Sequence, residues 1–310
     1  MTRILITGAA GMVGRELLDE LPGHPIIATD IVTPGRMAES AEFHRMDVTG
    51  SSPARVIAAT RPEVIVHLAS VAMRAGGTGR DAAEKVDVTG TANVLAAALE
   101  CGVRRLVVTS SGAAYGYHAD NPAMLRETDA LRGNRAIALA DHKRRVEEML
   151  AAARRDHPQL EQVVLRVDTV LGAGTDNQVT ARFRAPRLLA VAGAQDLYSF
   201  VWTRDLARIL HRAATDGPPG IYNVAGDGFI GIDDIARALG KPVLRLPAWA
   251  LRAGLAAARP LGLSRLGPEQ VDVLQYRPVL ATEALRRDFG HVPEKTSAEV
   301  FDLWRRRARL

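Results

Sequence analysis

The sequence predicts an α/β fold, a doubly wound parallel sheet followed by a smaller, mainly helical C-terminal substrate lobe. Three observations carry this. Through the first half, short β-branched apolar runs alternate with helical stretches, and runs with no polar alternation belong to strands buried on both faces. A glycine-rich turn, Thr7 to Gly14, lies directly between the first strand and the first helix. From about Phe229 onward the alternation ends, and helix dominates to Leu310, broken by KPVLRLP.

In order, RILIT from Arg3 reads as a buried strand and Met12 to about Leu21 as a helix. PIIATD gives a second strand ending at Asp30, and EFHRMDV a third ending near Asp47. A helix around Arg55, a strand EVIVHLA from Glu63 and a long helix from Asp81 to Cys101 follow. RRLVVTSS is the fifth strand and VVLRVDTV, from Val163, the sixth. FVWTRDLARIL reads as a strand entering a helix, and GIYNVAG as another strand. With right-handed crossovers, the leading topology is the Rossmann order. The expected division is a dinucleotide-binding domain over 1–174 and a lobe over 175–310, with 197–224 returning to the first domain.

Composition narrows the function. The 310 residues are 47% hydrophobic and 24% charged, which is ordinary for a globular protein. The single cysteine, Cys101, excludes an internal disulfide and suggests a reducing, cytoplasmic setting. The N-terminus is too glycine-rich for a secretory signal, and no uninterrupted apolar run reaches about 18 residues, so no membrane partner is expected. The net charge of +5 comes almost wholly from arginines interspersed with Asp and Glu, which reads as solvated helix faces and not as a nucleic-acid surface. The eight histidines are dispersed, so no metal site is expected.

TGAAGMVG carries the cofactor expectation. Gly8 permits the tight turn, Gly11 lets backbone approach a pyrophosphate, and Gly14 allows close helix–strand packing. The helix start, with Met12 and Val13, offers free N–H groups and a positive dipole end to phosphates. Asp30, closing the next strand, suits ribose hydroxyls and repels a 2′-phosphate, which predicts NAD over NADP.

TGxxGxxG at this place resembles the extended short-chain dehydrogenase/reductase family, the NAD-dependent epimerases and dehydratases, and further matches follow in family order. Asp47 and Val48 resemble the pair contacting adenine, and Leu68, Ala69 and Ser70 the segment beside the pyrophosphate. VDVTGTANVL is similar to the helix beneath the cofactor, with Asp87 where the family usually has Asn. TSSGAAYG, Thr109 to Gly116, looks like the active-site strand end. The resemblance implies that Ser111 bonds the reacting oxygen and Lys143 holds the nicotinamide ribose. Independently, Lys143 falls in the apolar stripe of Leu139, Val146, Leu150 and Ala153, while Arg144, Arg145, Glu147 and Glu148 point elsewhere. A lysine on a buried face needs a polar ligand for its head.

The family's catalytic tyrosine is missing: Leu139 stands four residues before Lys143, and no tyrosine occurs between Tyr117 and Tyr198. Losing a positioned proton donor costs about 10²–10⁴ in rate. Three readings stay open. Tyr117, His118 or His142 supplies the proton; the chemistry needs no strong acid there; or the fold binds NAD as a silent sensor or scaffold. Gly112 and Ala113 follow Ser111 where dehydratases of the family carry an acidic pair, which argues against dehydration. Arg182, Arg184, Tyr198, Trp202 and Arg204 fall where family members contact substrate. PAWALRAGLAAARPLGL reads as an amphipathic helix packing on the lobe or on a partner subunit. The expectation is an NAD-dependent oxidoreductase or epimerase acting on a hydroxyl or ketone of a small polar molecule, a nucleotide sugar or natural-product intermediate, in a possible homodimer.

Overall fold

The computed structural model describes residues 1–37, 40–71, 79–172, 174–264 and 266–310. Its strands are β1 (Ile4–Thr7), β2 (Ile26–Asp30), β3 (Ala41–Arg45), β4 (Val64–His67), β5 (Arg105–Ser111), β6 (Glu161–Val167), β7 (Thr169–Leu171), β8 (Leu188–Val191), β9 (Leu197–Tyr198), β10 (Phe200–Trp202), β11 (Gly220–Val224), β12 (Ile230–Gly231) and β13 (Val243–Leu246). Its α-helices are α1 (Met12–Glu20), α2 (Ser52–Thr60), α3 (Arg80–Glu84), α4 (Gly90–Glu100), α5 (Ala138–Asp156), α6 (Gln178–Arg184), α7 (Thr203–Ala214), α8 (Ile232–Leu239), α9 (Ala248–Ala258), α10 (Gln270–Gln275), α11 (Glu283–Arg287) and α12 (Ser297–Arg307).

Seven strands form one sheet in the order β11-β6-β5-β4-β1-β2-β3, every neighbour parallel. Within β1, Ile4 and Ile6 face one core while Leu5 faces the other. Both faces are buried, so the strand carries no polar alternation. The first core is closed by α1 (Leu17, Leu18) and α7 (Leu206, Ile209, Leu210), the second by α2, α4 and α5. The chain leaves the sheet after β6 and comes back as α7 and β11, which pairs along β6 from Val163↔Gly220 to Val167↔Val224. The C-terminal lobe has its own aromatic core of Phe183, Tyr198, Phe200, Phe301 and Trp304. Strand order reverses direction at β1, with β2 on one side and β4 on the other, and Thr7 lies opposite His67. Crevices at such a switch point are where open α/β sheets bind ligands.

Four details differ from the expected layout. The third strand ends at Arg45, because the Asp47 carboxylate turns the chain by accepting from Thr49 N (2.9 Å) and Thr49 Oγ1 (2.8 Å). The long helix after β4 is interrupted by a π-turn, Lys85–Thr89, which carries Asp87. Leu139 does not join Val146, Leu150 and Ala153. Lying in the first turn of α5, it packs half-buried on Tyr117, Ala113, Ile137 and Val273. Glu147 does not point to solvent: it is buried and grips Arg166 on β6.

Candidate active site

The turn after β1 leaves no room for side chains. Gly8 has φ +71°, and a Cβ there would meet Ala69 N at 2.8 Å. A Cβ at Gly14 would meet Gly8 O at 2.4 Å. Gly11 starts α1 without a side-chain cap, and its own N–H is spent on Gly8 O at 3.0 Å. The next N–H groups, of Met12, Val13 and Gly14, have no acceptor among the described residues. They face the cleft at a positive helix end, a cradle that suits a dinucleotide pyrophosphate. Asp30 braces this cradle: one carboxylate oxygen accepts from Ala10 N (3.0 Å), the other from Ile31 N (2.7 Å).

Behind the cradle runs a buried chain of hydrogen bonds. Thr91 Oγ1 donates to Asp87 O at 2.6 Å, so it accepts from His67 Nε2–H at 2.9 Å. His67 Nδ1 then accepts from the Thr7 hydroxyl at 2.8 Å, and Thr7 Oγ1 accepts from the amides of Leu68 (3.1 Å) and Ala69 (3.2 Å). The neutral ring is enforced by burial, with the Lys143 charge adding to it, and the His67 pKa falls to about 3. Leu68 and Ser70 line the cleft. Ala69 lies behind Gly8, Val48 is buried against Gly90, and Asp47 serves its own turn, so none of these three forms the cleft wall.

Elsewhere on the cleft wall, Ser111 closes β5, its Oγ accepting from Ala113 N at 3.2 Å. Lys143 also lines it, and its ammonium donates to Thr109 O at 2.9 Å. Burial depresses the lysine pKa, against the pull of Asp87 and Glu147. Of the three alternative proton donors, only Tyr117 lines the cleft. Its hydroxyl has no hydrogen-bond partner among the described residues, and burial pushes the phenol pKa up, with Arg277 and Arg182 opposing. His142 is fully buried behind the wall, Nδ1 3.3 Å from the Asp87 carboxylate, whose other oxygen accepts from Ser70 Oγ at 2.8 Å. His118 bonds Arg132 O at 2.8 Å, outside the cleft. Tyr115 is structural: its hydroxyl joins Arg166 and Asn223, and burial raises its pKa to about 12.

The cleft has a volume of about 600 Å³. Arg182 lines it, but Tyr198 and Trp202 do not. Tyr198 is buried in the lobe's aromatic core, and Trp202 sits among the Arg204, Arg208 and Lys295 cations at 4.8–6.0 Å. Arg184 pairs with Asp176. Two wall residues had no sequence signal. Arg277, just past α10, lies over the Tyr198 ring at 4.3 Å with Nη2 buried and unpartnered. Asp168 accepts from the Ser199 hydroxyl and from Thr169 N, and burial raises its pKa. Neither Arg182 nor Arg277 has a carboxylate within 4.0 Å among the described residues, although they sense one another. Two guanidiniums without a direct ion pair facing one cavity suit an anionic ligand, with Asp168 and Asp196 tempering the charge of Arg277. Among the described residues no helix is long and apolar enough to cross a membrane.

Residues 4–225 match the family model of the NAD dependent epimerase/dehydratase family. An uncharacterized protein of Mycobacterium tuberculosis is 27% identical over 310 residues, covering 96% of this chain and 82% of its own. An alignment over 121 residues, covering 36% of this chain and 39% of the relative, is 34% identical to the UDP-glucose 4-epimerase of Mycolicibacterium smegmatis. The Thermotoga maritima UDP-glucose 4-epimerase, solved with UDP-glucose, has a similar fold: TM-score 0.77, 20% identity, 99% of this chain and 98% of that one. The Thermus thermophilus UDP-glucose 4-epimerase solved with NAD gives 0.76 at 23% identity, covering 99% of each chain.

Proposed function

The chain belongs to the NAD-dependent epimerase/dehydratase family, with NAD as its cofactor, and on that premise we propose that it oxidises, reduces or epimerises a carbinol carbon of an anionic small molecule. Nucleotide sugars and natural-product intermediates both fall in this class. Tyr117 is the proposed proton donor in place of the missing tyrosine. The observation behind this is one juxtaposition: Leu139 packs against the apolar cluster that holds Tyr117, and Tyr117 lines the cleft with no hydrogen-bond partner for its hydroxyl among the described residues.

NAD, when bound, exchanges a hydride with the substrate carbon. The amides of Met12, Val13 and Gly14 hold the pyrophosphate, Asp30 the adenosine ribose and Lys143 the nicotinamide ribose. Ser111 donates a hydrogen bond to the reacting oxygen. In the reducing direction the Tyr117 O–H proton passes to that oxygen as the carbonyl becomes an alcohol. The phenol is protonated at neutral pH; burial makes it a weaker acid, and the Arg277 and Arg182 charges oppose that shift. Arg182 and Arg277 hold the anionic end.

The test is turnover of UDP-glucose or another anionic carbinol with NAD, read both as NADH formation and as epimerised product, for the native chain and Tyr117→Phe. The variant should lose about 10²–10⁴ in kcat while its Kd for NAD stays the same. Unchanged kcat would remove Tyr117 from the chemistry. Tight NAD binding with no turnover of any carbinol would favour the silent scaffold.

A further inference from the structure

We infer that the reacting ring of the substrate is poor in hydroxyls, a deoxysugar or an alicyclic carbinol, next to the anionic group held by Arg182 and Arg277. This rests on the oxidoreductase reading above and narrows its substrate. The wall beside Ser111 is a continuous apolar surface: Ala113, Ile137, Leu139, Val273 and the Tyr117 ring pack together and line the cleft. Leu139 removes a phenol from this wall as well as a proton donor.

Among the described residues, most other polar side chains of the cleft are already engaged, Gln270 on α10 being the exception. Asp168 accepts from Ser199 and Thr169, Asp176 pairs with Arg184, and the Asn177 carboxamide oxygen caps α6 through Val179 N and Thr180 N. A ring hydroxyl turned against the apolar wall loses its water and finds no partner, which costs about tenfold or more in affinity for each such group. A single oxygen is well served, by Ser111 and Tyr117. A fully hydroxylated hexose ring brings several more than this wall can satisfy.

Two matched pairs test this by calorimetry on the NAD-loaded protein: 4-hydroxycyclohexanecarboxylate against D-glucuronate, and UDP-2,6-dideoxyglucose against UDP-glucose. The hydroxyl-poor member of at least one pair should bind at least about tenfold tighter. Preference in the nucleotide pair alone identifies a nucleotide-linked deoxysugar, and in the acid pair alone a free alicyclic acid. Leu139→Gln, which puts a hydrogen-bonding group on the wall, should shrink the preference. Equal or tighter binding of the hydroxylated members, or no saturable binding by any of the four, overturns the inference. Failure of the Tyr117→Phe test would instead strike the proton donor and leave these binding ratios untouched.

Discussion

Glu147 and Arg166 form a buried ion pair, 5% and 3% exposed, linking α5 to β6 behind the active-site strand. Arg166 Nε donates to both Glu147 oxygens (3.1 and 2.9 Å), Nη2 to Oε2 (2.8 Å), and Ser110 Oγ to Oε1. Arg166 Nη1 bonds the Tyr115 hydroxyl (2.7 Å) and Glu127 O (3.0 Å). Glu147→Met leaves this guanidinium buried without its counter-ion, and Arg166→Met does the same to the carboxylate. Removing one partner of such a pair costs about 3–5 kcal/mol, whereas replacing both by apolar groups is often near neutral. After the double change Tyr115 keeps Asn223 Oδ1 and Arg126 O. The Glu147→Met/Arg166→Met double variant should therefore be more stable than either single one, by about 3–5 kcal/mol. Urea unfolding followed by circular dichroism at fixed protein concentration measures all four proteins. If the two single losses add within about 0.5 kcal/mol, the sites are independent and the buried-pair account is wrong.

Further predictions concern the cleft. A Cβ at position 14 meets backbone at Gly8 O (2.4 Å) and Ala9 Cα (2.7 Å), neither of which can yield. Gly14→Ala should thus weaken NAD binding at least about tenfold, the worth of one charge-assisted hydrogen bond or more; Gly50→Ala, which meets open space, is the calorimetric control. The His67 ring is held neutral with its pKa near 3, so the unfolded chain binds the extra proton between pH 6.5 and 3. Stability should fall as pH drops through that window, at up to about 1.4 kcal/mol per pH unit from this ring. Acid unfolding of His67→Asn should show a shallower slope, and an unchanged slope would clear His67. Leu139→Tyr should not raise kcat if Tyr117 is the donor, since the larger ring displaces it; a gain in NADH formation would mark a degraded ordinary site.

What the sequence could show was what local pattern determines. Gly8, Gly11 and Gly14 are legible because a turn, a close approach and a helix packing each demand glycine at a fixed offset from the strand. Lys143 is legible because a cation inside an apolar stripe has few reasons to be there. Glu147 was not, since a carboxylate on a helix reads as solvated until Arg166 arrives from a strand 19 positions on. Tyr198 and Trp202 lie on strands of two and three residues, too short for any periodicity to say which face they take. Arg277 joins the cleft only through the packing of the lobe, where its guanidinium covers the Tyr198 ring. No spacing between positions 182 and 277 encodes their meeting.

The late return of α7 and β11 governs how the chain can be assembled. A ribosome must finish residue 214 before α1 meets all of α7, and residue 224 before β6 has its outer neighbour. Until then the emerging polypeptide shows a raw strand edge and a greasy helix flank, both invitations to aggregation. A fragment stopped at residue 174 would freeze that hazardous moment permanently, so recombinant dissection of this enzyme belongs beyond β11 and not at the apparent end of the nucleotide fold.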